Sequence, residues 1–358
     1  MTLMLWLLAS ILLLAVAGWL YQVIGVWRDR TRYIGSGPAA RGRIVELAGG
    51  CKVYVQQTRL PSASGPAAHT DALPTVIFES GIGASCQNWC ELQRRVACFA
   101  PTFSYDRTGL GWSGATGGAR TPSNLARELH LTLRAAGIDG PFLVVGHSFG
   151  GLIARRFATD YADVVTGLVL LDPMRPEEWP PLNESRRGTV ERGARFAGYG
   201  AVAAHLGIAR LGMRSLLCGR GRITGLMRRA AGKGGAHLAG RILCEMGKMP
   251  REVWPIVAAH WSSPKFFRSF AAYIRAVPRT VAEMQDAPPL TIPVTLLTPA
   301  DGVPLDPEQV ARIGIDVQQR IAAKSGHWVH LDEPEMVLAA IREMVGSPRR
   351  VEQASVYA

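Results

Sequence analysis

Residues 146–151 read Gly146-His147-Ser148-Phe149-Gly150-Gly151, which places a serine in G-x-S-x-G spacing. That pattern alone is common by chance. Here the apolar run Phe142-Leu143-Val144-Val145 leads into it and a helix-like stretch over 149–161 leads out. Between a buried strand and a helix, such a turn forces the serine into a strained conformation and presents its hydroxyl at the carboxyl end of a sheet. The helix amino terminus behind it favours developing negative charge. The plainer reading is a glycine-rich strand–helix turn with no chemistry.

A serine hydroxyl is a weak nucleophile at neutral pH and needs a base. In this topology the partners follow later in the chain, acid first and then histidine. His205, His237 and His260 fall in a region without strands, which leaves His327 and His330 in the segment 324–335, Lys-Ser-Gly-His-Trp-Val-His-Leu-Asp-Glu-Pro-Glu. Ser325 and Gly326 give His327 a loop that can reach over the sheet edge, so His327 is expected to be the base and His330 a packing or pocket residue. Asp301, directly after the run 292–298, is the expected acid that orients the imidazole. Asp172, which ends the run 165–172, is the alternative acid, and Asp306 is expected to cap the next helix. An oxyanion would need two donors: the N–H of Phe149 and, from the loop Ser80-Gly81-Ile82-Gly83, that of Ile82.

Several elements must position these groups. Residues 43–48 and 52–58 flank Gly49-Gly50 as a hairpin. Residues 59–74 read as a loop. Short apolar runs at 75–80, 102–106, 142–148 and 165–172 alternate with helical patterns at 88–99, 121–137 and 149–161. The alternation predicts an α/β fold with a doubly wound, mostly parallel sheet. It lapses after 173 and resumes with 292–298, 317–323 and a last helix over 333–346. A structureless loop of that length is improbable, so a helical insert is expected.

The motifs together resemble the α/β-hydrolase fold superfamily, of the AB hydrolase-1 type, over roughly residues 43–173 and 291–348. They are Glu79-Ser80-Gly81-Ile82-Gly83, the segment 104–114, the elbow at 146–151 and the segment 325–334. The resemblance implies that Asp106 and Arg107 brace the oxyanion loop and are not catalytic. It also implies that the insert, 174–290, is a cap over the active site. Ser80 stands where many members have histidine. The elbow residue is serine and not aspartate, which separates the chain from epoxide hydrolases and haloalkane dehalogenases.

The first 27 of 358 residues carry no Asp, Glu, Lys, Arg or His. That length exceeds the about 20 apolar residues needed to span a bilayer. Trp19, Tyr21 and Trp27 crowd its end, and Arg28, Arg30 and Arg32 follow, which predicts a single-pass anchor with its carboxyl end cytoplasmic. A cleaved signal peptide is the rival, since Ala15-Val16-Ala17 fits a small-x-small site. The expected organisation is anchor 1–27, juxtamembrane linker 28–42, core 43–173, cap 174–290, core 291–348 and tail 349–358. An anchored span before this core resembles bacterial membrane-anchored members of the superfamily.

The formal charge of +12 concentrates in the cap, where 19 Lys and Arg face 8 Asp and Glu. The basic, glycine-rich segment 219–235 lacks interleaved aromatics, so no nucleic-acid partner is expected. A solvated cap face is the bland reading of the charge; contact with anionic headgroups is the sharper one. Six scattered cysteines form no CxxC pair, no HExxH occurs, and neither metal nor organic cofactor is implied. A disulfide among Cys86, Cys90 and Cys98 competes with buried free thiols. The expected activity is cleavage of a small-molecule or lipid-like acyl ester. The alternatives are an acyltransferase or proline-iminopeptidase-like peptidase on the same triad, or a non-catalytic binding protein.

Overall fold

The computed structural model describes residues 2–37, 39–58, 73–115, 117–176, 184–217, 244 and 246–346. Most of the expected loop at 59–74, the basic segment 219–235 and the tail 349–358 lie outside the described residues.

The strands are β1 (Arg43–Glu46), β2 (Lys52–Thr58), β3 (Thr75–Glu79), β4 (Thr102–Tyr105), β5 (Phe142–His147), β6 (Val165–Leu171), β7 (Val294–Pro299) and β8 (Val317–Ala322). They form one sheet in the order β1-β2-β4-β3-β5-β6-β7-β8. The β1–β2 hairpin turns on Gly49 and Gly50, both at positive φ, and β2 joins β4 antiparallel. From β4 to β8 every pairing is parallel.

The helices are α1 (Thr2–Tyr33), α2 (Cys90–Val96), α3 (Pro122–Ala136), α4 (Phe149–Asp160), α5 (Glu184–His205), α6 (Ile208–Leu217), α7 (Trp254–Trp261), α8 (Pro264–Gln285), α9 (Pro307–Ile313), α10 (Val329–Asp332) and α11 (Pro334–Val345). Parallel strands run apolar on both faces because helices cover both. Leu129 and Leu133 of α3, with Ala154 and Phe157 of α4, pack on one face. Leu92 and Val96 of α2, with Val337 and Ile341 of α11, pack on the other. Asp306 caps α9 in a capping box with Gln309. Cys86, Cys90 and Cys98 are free thiols, and of these only Cys86 is fully buried.

The insert is mostly helical in its described parts. Helices α5 and α8 approach closely through Ala194, Ala197 and Ala271. A Cβ on Gly200 would lie 2.3 Å from the Phe267 ring, so glycine is what lets that ring sit against α5.

Helix α1 is long and apolar enough to cross a bilayer. It continues through residues 28–33, which the sequence reading assigned to a linker, because those residues find partners. Asp29 pairs with Arg210 of α6 at 2.6 Å, and Tyr33 stacks on Trp112. Two turns before Asp29, Gln22 is buried, donating to the Ser262 carbonyl at 3.2 Å and accepting from Arg210 Nε at 2.9 Å.

Candidate active site

His147 and Leu171 are register partners at the ends of β5 and β6. The next residue of each strand is Ser148 and Asp172. Among the described residues these are the two non-glycine residues at positive φ, 54° and 40°. Such conformations are strained and persist only where the surroundings hold them. For Ser148 the restraint is visible: its N–H donates to Leu171 O at 3.0 Å, and its carbonyl accepts from Gly151 and Met174 N–H at 2.9 and 3.1 Å. A Cβ on Gly150 would lie 2.4 Å from Glu79 O and 2.5 Å from Ser80 O, so only glycine lets α4 begin against the end of β3.

His327 lies in the connection after β8, and its Nδ1 is 2.6 Å from Asp172 Oδ2. The preference for Asp301 over Asp172 is therefore reversed. A turn closed by Gly302 N–H to Pro299 O at 3.1 Å leaves Asp301 exposed beyond β7. Asp172 is held inward instead, its N–H donating to Leu297 O at 2.9 Å.

The His327 connection is tied to the elbow. His147 Nε2–H donates to the His327 carbonyl at 2.8 Å, which fixes the His147 tautomer. Burial, then the neighbouring His330 and His327, holds the His147 pKa well below its usual value, so the ring is neutral. His330 is a packing residue, but it sits on the short helix α10 and not in a loop. It packs against the Trp89 ring at a tilt, with centroids 4.3 Å apart, and burial brings its pKa down to about 3.

The loop after β3 passes beside the nucleophile candidate. A Cβ on Gly81 would lie 3.1 Å from His147 Nδ1 and 3.6 Å from Ser148 Cβ, and Gly83 turns the chain at φ 71°. Arg107, fully buried, donates to the Gly81 carbonyl and faces the Phe149 and Tyr273 rings at 5.7 and 5.1 Å. Asp106 accepts from Cys86 N–H at 2.9 Å and from Trp112 N–H at 2.8 Å. The pair thus braces the loop from below. Ser80 does the same from the side, accepting from Trp89 Nε1–H at 2.9 Å and donating to Ser85 O at 3.2 Å.

Sequence reasoning missed Glu79 and the cap aromatics. Glu79 is buried 3.5 Å from Arg107 and accepts from the Tyr105 hydroxyl at 2.7 Å. Burial nonetheless pushes it up to about 7, against the pull of Arg107. From the cap, Trp261 Nε1–H donates to Gly83 O at 3.2 Å, and Phe266 and Ile82 pack with Phe149 and Tyr273. A lone acid in an apolar strand carried no signal; the paired phenylalanines at 266 and 267 did. Among the described residues no group of three or more His, Cys, Asp or Glu is arranged to hold a metal.

A family model described as the alpha/beta hydrolase family matches residues 76–340. YqjL of Bacillus subtilis (strain 168) is 37% identical over 99 residues, 28% of this chain and 39% of that protein. The chain thus spans well under half of that curated relative. Among solved structures, the epoxide hydrolase CorEH superposes with a TM-score of 0.61 at 17% identity, covering 85% of this chain and 97% of that one. A thermophilic esterase from Thermogutta terrifontis superposes with a TM-score of 0.57 at 20% identity, covering 87% and 99%. At these identities both likenesses establish the fold alone. With the family match spanning most of the sheet and the elbow, the chain belongs to the alpha/beta hydrolase family, and its membership supports hydrolase chemistry.

Proposed function

We propose that this chain is a membrane-anchored serine hydrolase that cleaves a carboxylic ester of an apolar acyl group. The observation that carries the reading is the 2.6 Å contact between His327 Nδ1 and Asp172. With Nδ1 committed to the carboxylate, Nε2 is the free base. Ser148 Oγ attacks the ester carbonyl and His327 Nε2 takes its proton, then returns it to the leaving alkoxide. Water, activated by the same nitrogen, cleaves the acyl-enzyme. Asp172 holds the tautomer and stabilises the imidazolium. The N–H groups of Ile82 and Phe149 hold the oxyanion; Phe149 opens α4, where first-turn donors have no intrahelical partner.

An elbow serine forms an acyl ester, and so the fold likeness to CorEH does not extend the epoxide chemistry of its name to this chain. The apolar preference rests on the cap, which sets Phe266 and Phe270 against Gly83. The anchor is α1, and the arginines at 28, 30 and 32 favour a cytoplasmic catalytic domain. Labelling with a fluorophosphonate tests the nucleophile. Wild type should label and Ser148→Ala should not; a wild type that resists the probe removes the reading. A chain-length series of p-nitrophenyl esters should then favour longer acyl groups.

A further inference from the structure

A cavity of about 210 Å³ lies between α1, α6, α7, α8 and the loop around Trp112. Its walls carry Arg30, Arg210, Lys265 and Arg268, against the single carboxylate of Asp29. Lys265 Nζ donates to the Gly111 carbonyl at 2.9 Å and to the Ser113 carbonyl, and Arg30 Nη1 donates to the Trp112 carbonyl at 3.4 Å. Lys265 also feels Asp106, but that carboxylate is already engaged by the N–H groups of Cys86 and Trp112. Arg210 spends Nη1 on Asp29 and Nε on Gln22, while its Nη2 is buried without a hydrogen-bond partner. Both ring nitrogens of His260, which is 3% exposed, and Trp112 Nε1 are likewise buried and unpartnered at the cavity wall. Burial pulls Lys265 down to about 8, a penalty that a bound anion would offset. The cavity lining includes no residue of the elbow.

Its depth relative to α1 identifies the anion. A hydrocarbon core of about 30 Å takes about 20 helical residues, and counted from Leu3 that stretch ends near Gln22. At about 1.5 Å per residue, Val26 to Arg30 lie ~6–12 Å further along the axis. That range overlaps the headgroup layer, which is ~5–8 Å thick on each side. The cap also touches α1 deeper, at Gly18, which that count places within the hydrocarbon stretch. A Cβ on Gly18 would lie 2.2 Å from Leu206 O, and the side chains flanking that α5–α6 turn, Val202, Ile208 and Leu211, are exposed and apolar. Acyl chains would meet those side chains while a phosphate met the arginines.

We propose that this pocket binds the phosphate of an anionic phospholipid headgroup in the leaflet from which α1 emerges. Charge complementarity and continuity with α1 argue for that occupant. The proposal rests on α1 as a membrane span and is independent of the ester chemistry.

The test uses the full chain in mild detergent with equimolar phosphatidylglycerol and phosphatidylcholine, retained lipid being counted by native mass spectrometry. Phosphatidylglycerol should be retained at least about tenfold over phosphatidylcholine. The double variant Arg30→Gln/Arg268→Gln, at two exposed positions, should lose that preference, whereas Arg195→Gln/Arg275→Gln, outside the pocket, should keep it. Equal retention of the two lipids, or an unaffected Arg30→Gln/Arg268→Gln variant, overturns the proposal. Displacement by inorganic phosphate at concentrations matching the lipid reassigns the site to free phosphate and equally overturns it. An alkaline wash of native membranes separates the two readings. Release of the chain removes the span and this proposal together; retention without lipid preference removes only the pocket.

Discussion

His327 Nδ1 meets Asp172 Oδ2 at 2.6 Å across 155 positions of sequence, so the carboxylate paired with His327 stands after the sixth strand and not the seventh. Asp172 and Ser148 leave neighbouring parallel strands side by side, which puts base and nucleophile candidates over one sheet edge. Replacing Asp172 with asparagine keeps the shape but lets an amide stabilise the wrong imidazole tautomer. Asp172→Asn should lower kcat by about 10³–10⁴-fold, the scale expected for such a change. Asp301→Asn, at an exposed turn, should stay within about threefold. Steady-state ester hydrolysis by the two variants decides between them, and the reverse order would restore Asp301.

Gly150 separates α4 from backbone that cannot yield, the carbonyls of Glu79 and Ser80. Gly150→Ala should cost about 1–3 kcal/mol of stability. Because the displaced backbone leads into the candidate oxyanion loop, kcat should fall more than KM rises. Gly198, in the middle of α5, has open space around it. Gly198→Ala should therefore stabilise by about 0.5–1 kcal/mol through helix propensity. Thermal unfolding of both variants checks the contrast; a stabilising Gly150→Ala would contradict the packing.

The elbow was legible because its demands are local. A serine at positive φ, a glycine where α4 meets β3 and a β-run on one side all leave marks within a few residues. The parallel sheet was legible for the same reason, each strand being an apolar run with turn residues at its ends. The choice between Asp172 and Asp301 was not, since both end apolar strands and only the path of the His327 connection separates them. Helix α1 hid its docking for another reason. Gly18 and Gly25 inside an apolar run match any span, and nothing in them points to Leu206 or Arg210. Arg210 itself reads as one more charge in a basic cap until Asp29 and Gln22 meet it.

Three buried histidines give the fold a common acid sensitivity. His147, His260 and His330 all have depressed pKa values, with burial as the leading cause, and His260 and His330 fall to about 4 and about 3. A depressed folded pKa contributes stability that is present above the unfolded value of about 6.5 and is lost as pH falls toward the folded value. For His330 that loss is on the order of 2 kcal/mol between pH 6.5 and 5. Glu79 acts with the opposite sign, its raised pKa eroding stability as pH climbs from about 4.5 to about 7. His330→Phe, which keeps a ring on Trp89, should flatten the fall in Tm between pH 7 and 5. An unchanged slope would mean that His330 titrates alike in the folded and unfolded protein.

The contact between Gly18 of α1 and the Leu206–Gly207 turn ties α1 to the cap. Added bulk has nowhere to go: a Cβ on Gly18 would sit 2.2 Å from Leu206 O, and one on Gly207 would sit 2.6 Å from Gly18 O. Gly18→Leu should therefore push α1 away from α6 while leaving that helix at least as apolar as before. Two readouts separate these effects. The variant should remain in membranes after an alkaline wash, since leucine favours the bilayer. Trypsin should cleave more rapidly after Arg210, whose side chain is 13% exposed while Asp29 and Gln22 hold it. Loss from the membrane would show that Gly18 serves insertion itself. Cleavage at the wild-type rate would show that α1 and the cap move independently, and the pocket between them would then have no fixed wall.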